Sequence, residues 1–308
     1  MIKRIDGLTI GPWFLEHWNQ EFSLSFPISY RLWMEKIINQ NALYQTHIFG
    51  MEADNRLIGL LVLKHYQIDD MPKQLYISLI YVIPSYRRKG YGSSMLQFSQ
   101  AWAWENHFLK LMTGTDPNCL FSGIPFINNQ PTHDFFLKRG FSTLYKNMNL
   151  ICTTSLTIPY DPVLKVVKTE AEKQAVLQLI KNHFSKRWLL DVMDAQPEEF
   201  VIVKKDEEMM GFLRINHESC PKFANSLNLY QKYPKLGGIG PLGIIPNYRN
   251  LGLGKKMVRY AINHLFNLGC TTVLVDWTGL VTFYQNCGFS QISQEYIIYQ
   301  FETGGRTV

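Results

Sequence analysis

Two short stretches of this chain repeat one arrangement of residues suited to holding a phosphate. The first runs Val82-Ile83-Pro84-Ser85-Tyr86-Arg87-Arg88-Lys89-Gly90-Tyr91-Gly92, the second Ile244-Ile245-Pro246-Asn247-Tyr248-Arg249-Asn250-Leu251-Gly252-Leu253-Gly254. Each closes an apolar run, reads Pro-x-Tyr-Arg-x-x-Gly-x-Gly and opens an amphipathic pattern. A strand that breaks into a glycine turn and then a helix aims the free N–H groups of the first helical turn, and the positive end of the helix dipole, at that turn. The glycines let backbone approach an anion closely and accept positive φ. Arg87, Arg88 and Lys89 add charge at the first turn; Arg249, Lys255 and Lys256 do so at the second. The interval from Arg87 to Arg249 (249 − 87 = 162) also separates Gly90 from Gly252 and Gly92 from Gly254. A period near half the chain describes two copies of one domain rather than a solenoid. A phosphate-bearing ligand is the chemistry expected at both.

Other phosphate motifs fail on context. Gly254-Lys255-Lys256 lacks the upstream glycine and the following Ser or Thr of a P-loop. Gly238-Ile239-Gly240-Pro241-Leu242-Gly243 spells G-x-G-x-x-G, but Ile244-Ile245-Pro246 follows where a dinucleotide fold needs a helix. Those glycines read instead as a strand against which something packs closely.

The chain of 308 residues has room for two domains with their own cores. Apolar content of 46% with 18% charged residues fits a globular protein and opposes disorder. The net charge of +6 is small and divides evenly between the halves, so nucleic acid is not indicated as a partner. A mild excess of cations suits an anionic cofactor equally well. Five cysteines, an odd number with no Cys-x-x-Cys pair, argue against a disulfide framework and against a zinc site. No signal-peptide pattern opens the chain and no membrane-length apolar run follows, so a cytoplasmic protein without membrane attachment is expected.

The patterns place helices near 13–22 and 29–40 and strands near 43–51, 56–66 and 74–83, with Asp54-Asn55 as a hairpin turn. A helix over 92–106 and a strand over 107–113 follow, then a long loop from Gly114 to about Gln130. A short helix ends at Arg139-Gly140, and 141–153 is extended. Ile158-Pro159-Tyr160-Asp161-Pro162 reads as a linker, since its two prolines oppose helix and central strand. The second copy repeats the order: strand 163–168, helices 170–184 and 185–195, strands 199–204 and 208–216, and a polar stretch from His217 to Lys235 that reads as a loop or a broken helix. Strand 238–245, helix 254–267, strand 271–276, helix 278–286 and extended 289–301 complete it. Gly140-Phe141 and Gly288-Phe289 repeat as well, 148 positions apart (288 − 140 = 148), the shorter interval reflecting the longer loop of the first copy.

Arg-x-x-Gly-x-Gly between strand and helix, with Phe283-Tyr284-Gln285-Asn286-Cys287-Gly288-Phe289 downstream, resembles the GNAT superfamily of N-acetyltransferases. The resemblance covers both halves. It implies an α/β (α+β) fold of two tandem GNAT domains, at 1–157 and 158–308, each a mixed, mostly antiparallel splayed sheet flanked by helices. It implies acetyl-CoA as acyl donor, with no metal, lying where the sheet opens between its fourth and fifth strands. Backbone N–H groups of Asn250, Leu251, Gly252, Leu253, Gly254 and Lys255, with Arg249 beside them, would hold the pyrophosphate. Leu242 and Ile244 would pair their backbone with the pantetheine arm as an added strand does. The matching set in the first copy is Val82, Arg87, Arg88, Lys89, Gly90, Tyr91, Gly92 and Ser93.

Tyr284 falls where family members often keep the acid that protonates the departing thiolate, and a phenol is protonated at neutral pH. The first copy has Phe136 there, which places the chemistry in the second copy unless Tyr81 or Tyr86 substitutes. Many members use a fourth-strand glutamate as base, but neither 74–82 nor 237–245 contains an acidic residue. Asp276 is the candidate base or amine-binding carboxylate, Glu218 a weaker one, and a water chain a third route. The activity implied is acetyl transfer from acetyl-CoA to a primary amine by direct attack. The alternative is a non-catalytic acyl-CoA-binding or sensing module. The acceptor stays open among small amines, amino acids, antibiotics and protein N-termini.

Overall fold

A computed structural model describes residues 1–39 and 42–304 of the chain. In chain order the first half forms β1 (Ile2–Arg4), α1 (Gly7–Phe22), α2 (Tyr30–Trp33) continued by a π turn over Met34–Ile38, β2 (Tyr44–Ala53), β3 (Arg56–Tyr66), β4 (Gln74–Val82), α3 (Tyr91–Glu105), β5 (Lys110–Thr113), β6 (Ile124–Pro125), α4 (Gln130–Leu137) and β7 (Ser142–Cys152). The second half forms β8 (Leu164–Val166), α5 (Glu170–His183), α6 (Lys186–Val192), β9 (Phe200–Lys205), β10 (Glu208–His217), β11 (Leu236–Ile244), α7 (Leu253–Asn267), β12 (Thr272–Thr278), α8 (Val281–Gln285) and β13 (Gln291–Glu302). Residue 40, the end of the expected helix 29–40, lies outside the described residues.

The chain forms two compact units. Unit 1 is Met1–Asn147 with Glu295–Val308, and unit 2 is Met148–Gln294. The expected division at 157/158 differs from this: the changeovers lie inside β7 and β13, and the proline-bearing stretch 158–162 is an internal loop of unit 2. Composition marks linkers, but it does not reveal which sheet a strand will join.

Within unit 1 the sheet order is β1-β2-β3-β4-β5-β13. The pairs β1/β2, β2/β3 and β3/β4 are antiparallel, and β4/β5 is parallel. The β5 edge is covered by the end of β13, Met112 opposite Gln300 and Lys110 opposite Glu302. Unit 2 repeats this as β8-β9-β10-β11-β12-β7, with parallel β11/β12 and the end of β7 on the β12 edge, Val273 opposite Cys152 and Val275 opposite Leu150. Each unit is thus a mixed, mostly antiparallel sheet whose last strand belongs to the other half of the sequence.

The parallel pair opens in each unit. In unit 2 the last paired residues are Ile239 and Val275, after which β11 continues as Gly240-Pro241-Leu242-Gly243-Ile244 without a paired strand on that side among the described residues. Pro241 has no N–H to give a ladder there. In unit 1 the pairing ends at Ile77 and Thr113 while β4 runs on to Val82. α7 lies on one face, burying Met257, Val258, Ala261, Ile262 and Leu265 at helical spacing against Val201, Leu213, Ile239, Val273 and Val275. α3 does the same through Met95, Leu96 and Ala103 against Ile58, Leu61 and Ile77. The close packing expected along the glycines of β11 is present: a Cβ at Gly238 would stand 2.2 Å from Ser226 Oγ.

Candidate active site

The cradle is built from what the helix starts lack. α1, α2, α5 and α6 begin with Asp6, Ser29, Thr169 and Ser185, whose side chains accept an N–H of the first turn. α3 and α7 begin with Gly90 and Gly252, which offer no such acceptor. The first backbone bond back to Gly252 comes from Lys256 N, so the N–H groups of Leu253, Gly254 and Lys255 have no intrahelical partner. Gly252 has φ 76° and Gly90 φ 91°, and nothing lies within 4 Å of where a Cβ would stand on either. Positive φ therefore selects glycine at both, and the space above the turn is open. Asn250 and Arg88 share the left-handed region, at φ 64° and 63°. Gly254 has no positive φ; a Cβ there would touch Phe283 at 3.5 Å.

Beside the cradle, β11 offers its backbone. Ile245 N–H donates to the Met210 carbonyl of β10 at 3.0 Å. Backbone groups alternate sides along a strand, so Gly243 also faces β10 while Leu242 and Ile244 turn their N–H and C=O toward the opening. Arg249 Nε donates to the Ile244 carbonyl at 3.1 Å, which ties the arginine to the end of β11. In unit 1, Ile83 N–H bonds Ile58 and Arg87 Nε donates to the Val82 carbonyl at 2.8 Å. An extended arm ending in a diphosphate fits these groups: strand edge first, uncapped helix start next.

Tyr284 and Asp276 lie within unit 2. Tyr284 sits on α8, its ring edge-on to Phe283 at 5.0 Å and to Phe289 at 5.5 Å, and it is buried. Burial raises its pKa far above the ordinary phenol value, and the nearby Cys287 and Asp276 raise it further. The hydroxyl therefore keeps its proton at neutral pH. Asp276, half-buried near the end of β12, brings Oδ1 to 3.7 Å from the Cβ position of Gly240, the first residue of the opening. Glu218 lies elsewhere: its Oε1 accepts the N–H of Leu236 at the opposite end of β11.

Unit 1 has the same frame with different contents. Phe136 is fully buried and stacks on Tyr299 at 5.7 Å. Tyr81 gives its hydroxyl to the His17 carbonyl and to Glu21, with a pKa raised to about 12 by burial first and by the Glu21 charge second. Lys89 sits over the ring of Tyr86 at 4.9 Å, and that ring lies 6.0 Å from Tyr91. Ser93 Oγ accepts from Arg139 at 2.5 Å. The Ser78 hydroxyl, where the opening begins, donates to Asp116 Oδ2 at 2.7 Å, and the buried Lys64 pairs with the same oxygen at 2.9 Å. The Asp116 carboxylate is thereby committed. Sequence reasoning missed this pair, and no local pattern signals a lysine in one strand meeting an aspartate 52 positions on (116 − 64 = 52).

No helix among the described residues is long and apolar enough to cross a membrane. The five cysteines are unpaired and buried.

The profile of the Acetyltransferase (GNAT) family matches residues 13–141 and again 168–289. A curated relative, Uncharacterized N-acetyltransferase YjhQ of Escherichia coli (strain K12), is 39% identical over 56 residues, 18% of this chain and 30% of that protein. Among solved structures, a glucosamine N-acetyltransferase region of a fungal multi-domain GH3 β-N-acetylglucosaminidase superposes with a TM-score of 0.84 at 18% identity, covering 98% of this chain and 38% of that one. A GCN5-related N-acetyltransferase from Sphaerobacter thermophilus gives 0.69 at 13% identity, over 98% of this chain and 95% of that one. A tandem GNAT protein from the clavulanic acid biosynthesis pathway gives 0.66 at 9%, over 99% and 98%. At these identities the structural likeness is one of fold, and it extends along both halves. With one match in each half and a splayed sheet in each unit, the chain belongs to the GNAT family of acetyltransferases.

Proposed function

We propose that unit 2 catalyses transfer of an acetyl group from acetyl-CoA to a primary amine by direct attack. The observation that carries this reading is the pairing, in one unit, of an uncapped glycine-led helix with a buried, proton-holding Tyr284 and the Asp276 carboxylate. Acetyl-CoA, when bound, supplies an activated thioester. The N–H groups of Asn250 to Lys255 receive its diphosphate, and Leu242 and Ile244 receive its arm along β11. Asp276 binds the acceptor ammonium and takes a proton, leaving a nucleophilic amine at the opening. Tyr284 gives its hydroxyl proton to the leaving sulfur, which a phenol held above its usual pKa is protonated to do. Unit 1 is read as a copy that binds the cofactor without transfer, because Phe136 has no proton to give and Asp116 is held by Lys64 and Ser78.

Small-molecule and peptide amines are the acceptors proposed, and the fungal neighbour's name adds amino sugars to the panel. The test is thiol release from acetyl-CoA across such a panel, with Tyr284→Phe beside the parent protein. Amine-dependent release that falls in the variant supports the reading. Binding of acetyl-CoA with no release for any amine would instead favour a sensing module.

A further inference from the structure

We propose that Asn149 is a positioning residue that aims the Asp276 carboxylate into the opening of unit 2. The inference rests on the role given to Asp276 above. β12 and β7 pair residue for residue from Val273 opposite Cys152 to Val275 opposite Leu150, and pairing resumes at Thr278 opposite Met148. Asp276 and Trp277 therefore stand together against the single residue Asn149, which is a β-bulge. Trp277 has φ 46°, a left-handed conformation that strains a bulky side chain. Asn149, itself buried, holds that conformation: its Oδ1 accepts the Trp277 N–H at 3.1 Å.

The bulge changes where two side chains go. In a regular strand Trp277 would share the face of Val273 and Val275, which pack in the core beneath α7. Instead its ring lies under the Arg187 guanidinium of α6 at 4.1 Å, and the preceding Asp276 turns Oδ1 toward Gly240. Unit 1 has a left-handed residue at the matching Thr115, φ 57°, but Gly114 precedes it. There the turn has no carboxylate to aim. The left-handed residue recurs in both units, and the carboxamide clamp accompanies the acid.

The test compares Asn149→Leu, which keeps the volume and removes the acceptor, with Asn149→Asp, which keeps the oxygen. Asp276→Asn is measured beside them, with an amine that the parent protein acetylates. Asn149→Leu is expected to lower kcat/KM for the amine about 10- to 100-fold, as misplacement of a reacting group by about an ångström does, with the Kd of acetyl-CoA unchanged. Asn149→Asp should recover most of that loss and move the acid limb of kcat/KM to higher pH, because a second carboxylate makes Asp276 hold its proton more tightly. A merely structural role would lower Tm in Asn149→Leu and leave kcat/KM and the pH profile of folded protein untouched, which overturns the proposal. If Asn149→Leu does not fold, an unmoved acid limb in Asn149→Asp overturns it. If Asp276→Asn leaves transfer intact, the role of Asp276 fails and the reason for Asn149 with it. If Asp276→Asn impairs transfer and neither Asn149 variant does, only the positioning role fails.

Discussion

The Glu21 carboxylate grips the Arg87 guanidinium through both terminal nitrogens, Nη1 to Oε1 and Nη2 to Oε2, each at 2.5 Å. Arg249, the matching arginine of unit 2, donates Nε to the Ile244 carbonyl and has no acidic partner at ion-pair distance among the described residues. The two cradles thus share backbone geometry and differ in which cation is paired: Arg87 with Glu21 in unit 1, and in unit 2 Lys256, whose Nζ lies 2.9 Å from Asp161 Oδ2, rather than the matching arginine.

A negative charge fixed beside the turn of unit 1 offsets a cation that a phosphate would use. Calorimetric titration with acetyl-CoA should show two sites per chain, the tighter in unit 2. Glu21→Gln should strengthen the weaker site about 2- to 5-fold, the effect of one half-exposed charge, and leave the tighter one alone. Two equal sites, or a Glu21→Gln profile that overlays the parent's, would count against the Glu21 pairing of Arg87 as a difference that the phosphate reads.

Tyr284→Phe removes one hydroxyl from a packed ring. Turnover should fall roughly 10- to 1000-fold while acetyl-CoA still binds, because the lost group acts only when the sulfur leaves. The alkaline side of the pH profile is a second readout. A required acid whose pKa is raised stays protonated as pH rises through 10, so kcat should hold there rather than bend at the ordinary phenol value. Undiminished turnover in Tyr284→Phe would remove the phenol from the mechanism.

What the sequence made legible is what is locally encoded. Gly90 and Gly252 carry the positive φ that their turns need, and Asp54 and Asn55 form the expected hairpin turn at φ 51° and 56°. The apolar run 56–66 is β3 residue for residue. What the sequence hid is encoded by pairing at a distance. Asn149 reads as one polar residue in a strand of the first half, and only its register against β12 gives it Trp277 as a partner. β6 hides for a related reason: Ile124 and Pro125 are too few for a pattern and are extended because Ile297 and Tyr296 pair with them.

His47 makes stability in acid a test of unit 1. Its ring is buried, lies 5.3 Å from His65 and 4.6 Å from Trp102, and receives Arg4 at Nδ1. Burial first, then the charges of His65 and Arg4, lower its pKa from 6.5 to about 4. The unfolded chain therefore binds a proton between about pH 6.5 and 4 that the folded one refuses, so stability falls as pH falls through that window, by about 1–3 kcal/mol. Urea midpoints at pH 7 and pH 4.5 should show the loss, and His47→Phe, which keeps the ring contacts, should reduce it. An equal loss in the variant would place the acid sensitivity elsewhere.

The strand that covers the β12 edge comes from the first half of the sequence, so unit 2 should not survive a cut at the composition boundary. A fragment of residues 158–308 lacks Leu150 and Cys152, both fully buried in the unit 2 core, and it leaves the β12 edge without its antiparallel partner. An open apolar strand edge is a template for association. Size-exclusion chromatography should find this fragment aggregated or unfolded, and acetyl-CoA should not bind it. In the full chain, Leu150→Ala tests the same dependence without a cut. Removing a fully buried leucine side chain should cost about 2–5 kcal/mol. The loss should appear in unit 2, as weaker acetyl-CoA binding at the tighter site and a lower midpoint for the Trp277 region in hydrogen exchange. A folded, monomeric 158–308 fragment that binds acetyl-CoA as the full chain does would show instead that unit 2 is complete without the strand from the first half.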